Sequence, residues 1–141
     1  MKKITLVTIL LMTLVTANGQ EHKFSPEKFQ ADLEAYIIRE TKLTPQESAR
    51  LLPLLRELND KKRALRDKMR DLSKHKPSDE SGCLRAIKEL DKLNIDMRHL
   101  EHGYHKRMIE AVSASKVYDV IKAENRFHRH MMKGWQKGRH R

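Results

Sequence analysis

Three histidines, His99, His102 and His105, recur at intervals of three. On a helix that spacing spreads them over about 120° of one face, so adjacent pairs could share Zn, Ni or Cu, with Glu101 or Met108 nearby. His128 and His130 form a second pair after Glu124, beside Met131 and Met132. No tight ligand motif such as HExxH accompanies either group, and histidines scattered on a basic helix usually face solvent. A divalent metal is an option these residues leave open; no other cofactor is indicated. Nothing supports catalysis: no Ser/His/Asp or Cys/His arrangement can be placed and there is no glycine-rich phosphate loop, so an enzyme is not expected. Cys83 is the only cysteine. It cannot form an internal disulfide, which leaves a half-buried thiol or, in an oxidising compartment, a bond between two copies.

Bases dominate the remaining chemistry. Lys61, Lys62, Arg63, Arg66, Lys68 and Arg70 crowd one stretch, with Leu65 and Met69 among them. Arg126 and Arg129 add charge near the other end. Such a run either attracts a partner over long range or is a solvated helix face held by local pairs such as Glu57 with Lys61. The full sequence of 141 residues carries 30 Lys and Arg against 19 Asp and Glu.

Met1 to Gln20 has the layout of a secretory signal peptide. Lys2 and Lys3 supply the positive end, Ile4 to Val15 an apolar run broken only by threonines, and Ala17-Asn18-Gly19 a small-residue cleavage site. The run is short for a membrane span of about 20 residues. Cleavage after Gly19 or Ala17 leaves 28 bases against the same 19 acids. We therefore expect a signal peptide at 1–19, one helical domain at 20–133 and a basic, flexible tail at 134–141. A Gram-negative periplasm is the natural home. Export argues against nucleic acid as the partner of so basic a chain, leaving unfolded polypeptide, anionic lipid headgroups and acidic protein surfaces.

These residues must be positioned by helices. Thr44, Pro45 and Glu47 form a capping box: the threonine caps the first turn, the proline needs no N–H there, and the glutamate reaches back. Leu51, Leu55, Leu58, Leu65, Met69 and Leu72 then follow at steps of four and three, with Lys62 in the one slot that is not apolar. Pro53 lies inside this stripe and predicts a bend. A first helix begins at Ser25-Pro26-Glu27 and runs to about Glu40. A loop spans His75 to Gly82. A third helix from about Cys83 to Ala111 carries Ala86, Leu90, Leu93, Met97, Leu100 and Tyr104, and its Gly103 predicts close packing or bending. Ser113 caps a fourth helix with Val117, Val120, Ile121, Phe127 and Met131. No stretch reads as a strand. The fold class is all-α, with four helices and the two long ones forming an antiparallel hairpin about Pro77. With 38% hydrophobic and 35% charged residues, narrow apolar seams buried further by self-association fit better than a thick core.

Leu43-Thr44-Pro45-Gln46-Glu47 resembles the LTxxQ motif of the Spy/CpxP family of periplasmic stress proteins, with Glu47 in the place of the motif's Gln. The family carries a second copy before its last helix. In the matching place this chain has Val112-Ser113-Ala114-Ser115-Lys116, which keeps the cap and departs at the fifth position. The run KVYDVIKAENRFHR also resembles exported members of the Bacteroides type. The resemblance implies a cradle-shaped homodimer whose basic, partly apolar face holds unfolded proteins without ATP. Some members instead sense heavy metals or regulate envelope stress through a membrane partner; in that alternative His99, His102 and His105 would bind the metal.

Overall fold

A computed structural model of the chain describes residues 24–139. The stretch read as a signal peptide lies outside the described residues. Within them every regular element is a helix: α1 (Pro26–Thr41), α2 (Pro45–Ser73), α3 (Glu80–Ala111) and α4 (Ala114–Arg139). At 1.5 Å per residue, α2 and α3 are each more than about 40 Å long.

The helix starts follow the side-chain chemistry of their caps. Ser25 Oγ accepts from the Lys28 N–H at 3.2 Å, with Pro26 in the first turn. In α2 both halves of the capping box form: Thr44 Oγ1 accepts from the Glu47 N–H at 3.2 Å, and the Glu47 carboxylate accepts from the Thr44 N–H at 2.9 Å. Ser113 Oγ accepts from the Lys116 N–H at 3.3 Å. Between α1 and α2 the chain turns at Lys42, whose φ of 51° lies in the left-handed region, at a cost on the order of 1 kcal/mol for a side chain with a Cβ. Lys116 Nζ donates to the carbonyls of Thr41 and Lys42 at 3.1 and 3.4 Å, tying this turn to α4.

Two boundaries differ from expectation. Helix α3 begins at Glu80 rather than near Cys83, because Asp79 caps it by accepting from the Gly82 N–H at 3.3 Å. Helix α4 runs on through Gly134 and Gly138 to Arg139 instead of fraying after Lys133. Helix α2 passes through Pro53 as one element, with the proline ring exposed.

The core sits at one end of the long helices. Leu33 and Ile37 of α1, Leu51, Leu55 and Leu58 of α2, Met108 of α3 and Val117 and Val120 of α4 are all 0–1% exposed. Beyond Leu58 on α2, and before Tyr104 on α3, no residue belongs to this buried cluster. There α2 and α3 pack on each other. Glu57 meets Arg107, Lys61 meets Tyr104 and Lys62 meets Glu101, so the partners descend α3 as they climb α2. Along the distal part the only buried hydrophobic side chain is Leu93, at 4% exposure. Leu65, Met69 and Leu72, and opposite them Ala86, Leu90 and Met97, stay half-buried.

The two glycines of α3 play opposite parts. A Cβ on Gly82 would stand 2.6 Å from Asp79 Oδ1 and 2.8 Å from Pro77 Cβ, so the loop can close over α3 only at a residue without one. A Cβ on Gly103 would meet nothing within 4 Å, so this glycine is not a close-packing site. We predict that Gly103→Ala raises stability by about 1 kcal/mol through helix propensity. Gly82→Ala lowers it by forcing the Asp79 cap aside, a loss on the order of 1 kcal/mol. Urea unfolding of the two variants should therefore move the midpoint in opposite directions.

Candidate functional site

The bases of α2 divide into those that build the fold and those that face outward. Lys62, one of the candidate binding residues, belongs to the first kind. Its side chain is 17% exposed and its Nζ lies 2.7 Å from Glu101 of α3, itself 17% exposed. Arg98 clasps the same carboxylate from outside at 2.8 Å. Around this pair a polar layer crosses all four helices where the leucine core stops. Asn59 Nδ2 donates to Gln30 Oε1 at 3.4 Å, and Gln30 Nε2 to Glu34 Oε1 at 2.9 Å. Arg56 grips both oxygens of Glu34, at 2.5 and 2.6 Å. From α4, Glu124 is 8% exposed, its Oε1 has no hydrogen-bond partner, and His128 Nε2 stands 3.7 Å away.

Lys61 is exposed but engaged, donating to Glu57 at 2.9 Å and to the Tyr104 hydroxyl at 2.8 Å. Together with Arg107 it lies over the Tyr104 ring. Arg63 and Arg70 bridge to Asp60 and Asp67 one turn back, while Arg66 makes no ion pair among the described residues. At about 100° per residue, Arg63, Arg66 and Arg70 share one flank of the seam, and Lys61 and Lys68 the other. Leu65 and Met69 lie in the seam itself. The outcome is a half-buried apolar seam between the distal halves of α2 and α3, flanked by bases on the α2 side. On α3, Arg85 and Lys92 alternate with Glu89 and Asp96, and Lys92 pairs with Asp96 at 2.7 Å. Arg126 reaches Glu40 at 3.9 Å and Arg129 is exposed; both lie on α4, outside this seam.

His99, His102 and His105 do not converge. His99 and His102 are exposed, His105 is half-buried, and among the described residues no group of three or more His, Cys, Asp or Glu is placed to hold a metal ion. His128 instead packs on Phe29, with ring centres 5.5 Å apart. The Cys83 thiol is half-buried and donates to the Pro77 carbonyl at 3.5 Å.

One surface escaped the sequence reading. Leu84, Ile87, Ile95 and Ile109 are each 48–57% exposed. At about 100° per residue they fall within about 80° of one another on the side of α3 turned from α2, with His102 in their midst. The signal was present as a second apolar series on α3, but Asp91, Arg98 and His102 fill the gaps in its heptads.

No family model, curated protein or solved structure matches this chain.

The polar layer makes stability depend on pH. Burial pushes the Glu101 carboxyl up, but Lys62 and Arg98 outweigh it and hold the group below the ordinary 4.5. For Glu124, burial likewise pushes up, and His128, Lys62 and Asn59 together pull it below 4.5. As pH falls, the unfolded chain takes up these protons before the folded one. The stabilisation is complete above about pH 5 and is lost as pH drops through the depressed folded values. Thermal unfolding should show a Tm that declines below about pH 5, and Glu101→Gln should flatten that decline.

Proposed function

We propose that this protein is an exported, ATP-independent, chaperone-like protein of the Spy/CpxP type that holds unfolded or stressed envelope proteins in a Gram-negative periplasm. The observation that carries this reading is the distal α2–α3 pair, where a half-buried apolar seam is flanked by the bases of α2. Arg63, Arg66, Lys68 and Arg70 would draw in a client by long-range attraction, and Leu65 and Met69, with Met97 opposite, would adapt to many apolar segments. The caps at Thr44 and Ser113, in the places of the family's two motifs, add support. The long helices act as an antiparallel hairpin, and two copies join to make the cradle. The exposed series Leu84, Ile87 and Ile95 is the surface best suited to that pairing, since apolar patches on a helix face mark association sites.

The test mixes the exported chain with a chemically denatured client diluted into buffer and follows light scattering without ATP. We expect aggregation to be suppressed near stoichiometric ratios, less so at high salt, and alike with chelator or added zinc. Replacing Arg63, Arg66 and Arg70 together by Gln should weaken suppression at least tenfold while leaving thermal unfolding nearly unchanged. The Arg63 and Arg70 ion pairs are exposed and worth about 1 kcal/mol or less each, and Arg66 has none among the described residues. Full aggregation in every condition rejects the reading.

The pairing surface has its own test. Sedimentation velocity should show a dimer, and Ile87→Glu with Ile95→Glu should convert it to a folded monomer. A wild-type monomer at tens of micromolar would reject the cradle.

A further inference from the structure

At the far end of α4 the structure gathers aromatic and basic groups that no client strip requires. Phe127, Met131 and Trp135 follow one another at steps of four on one face of α4. Phe127 packs on Phe29 and Tyr36 of α1 with ring centres 5.3 and 5.4 Å apart. Trp135 meets Phe24 edge-on at 5.8 Å. Past this contact the apolar face is uncovered: Phe24 is 55%, Met132 55% and Trp135 51% exposed. An open groove of about 620 Å³ lies between Phe24, Phe29, Met131 and Trp135, and its only charged lining residues, Lys28 and Asp32, are paired with each other at 2.6 Å.

The opposite face is cationic. Lys122, Arg126, Arg129, Lys133 and Lys137 fall within about 80° of one another at 100° per residue. After Glu124 the sequence has no Asp or Glu to its end at Arg141. Of the five bases only Arg126 pairs with a carboxylate among the described residues.

We infer that the α1–α4 end is a docking surface for an anionic lipid bilayer, on which α4 lies in the plane of the headgroups. The charge distribution selects this occupant. Past Glu124 the helix carries Phe127, Met131 and Trp135 on one face and only bases as charged groups on the other, the pattern of an interfacial helix. Trp135 has an apolar ring with a polar N–H at its edge, which suits the headgroup boundary. With α4 at headgroup depth, the bases of its outer face lie within a Debye length of the lipid phosphates and add long-range attraction. A folded acidic protein or a peptide would call for converging hydrogen-bond groups, and the groove offers none beyond a pair already satisfied. No described helix is long and apolar enough to cross a membrane, in keeping with attachment rather than insertion. This inference stands independently of client binding.

Trp135 is the only tryptophan in the chain, so its fluorescence reads this groove alone. The full chain would be titrated with vesicles of phosphatidylcholine alone or mixed with phosphatidylglycerol, some carrying brominated acyl chains. We expect a blue shift and bromine quenching with anionic vesicles only, reversed by high salt. Lys133→Gln with Lys137→Gln should weaken partitioning on the order of 20-fold, about fivefold for each charge removed near the surface, with helicity unchanged. The apolar stretch Ile4 to Val15 is common to both proteins and cannot produce that difference. Unchanged emission on anionic vesicles, or an equal shift on neutral ones, would overturn the inference. So would a blue shift that grows with protein concentration without lipid, which would assign the groove to a second copy.

Discussion

At position 62 the heptad of α2 asks for an apolar residue and the chain supplies lysine. Much of the architecture turns on what that one ammonium group needs. A charge drawn from water is costly unless opposite charge and hydrogen bonds meet it. Glu101 meets it at 2.7 Å from α3, and Glu124 lies buried nearby on α4. Truncating one partner of such a half-buried pair leaves the other short of its compensation and destabilises the fold. Lys62 therefore pairs one turn of α2 with one turn of α3, beside the Lys61–Tyr104 and Glu57–Arg107 contacts. It also marks the level at which the leucine core ends and the polar layer from Gln30 to Glu124 begins.

Two different surfaces follow from ending the core there. On the α2–α3 side the helices continue as a pair, and a two-helix seam can cover its apolar residues only on the facing side. Leu65, Met69, Leu90 and Met97 remain half-buried for that geometric reason. On the α1–α4 side the last turns of α4 extend along the start of α1, and the aromatic residues there have neighbours on one side only. Extending the leucine stripe through position 62 would weld both pairs into a longer bundle and remove the polar layer that separates these two surfaces.

The sequence was most legible where structure is local. Caps depend on a few adjacent residues, so Ser25, Thr44 with Glu47, and Ser113 were readable as helix starts. The four-and-three steps of leucine identified the buried faces. Asp79 was overlooked as a cap because Pro, Ser and Gly around it read as loop, although its carboxylate is as good an N-cap as any. Gly134 and Gly138 read as the start of a frayed tail, yet each costs only about 1 kcal/mol in a helix, and α4 carries on through both. The inward turn of Lys62 was legible in its place on the apolar stripe, but its partners were not. Only the fold brings Glu101 and Glu124 of other helices to it.

The same comparison bears on the excess charge. Many of the bases have a role within the fold: Lys62 and Arg56 satisfy buried carboxylates, Lys116 ties down the α1–α2 turn, and Lys61 and Arg107 cover Tyr104. Arg66, Lys68, Lys122, Arg129, Lys133 and Lys137 pair with no carboxylate among the described residues. Unbalanced like charge weakens a compact state through self-repulsion, so these six do not stabilise the fold by pairing. Two of them flank the half-covered seam and four lie on the cationic face of α4. An apolar strip left open to water is a self-association hazard, and like charge beside it opposes indiscriminate contact between copies while favouring partners that bring negative charge. Both surfaces thus combine apolar groups left uncovered with bases left unpaired, and it is that pairing of features, rather than basicity alone, on which the proposed roles of the two surfaces rest.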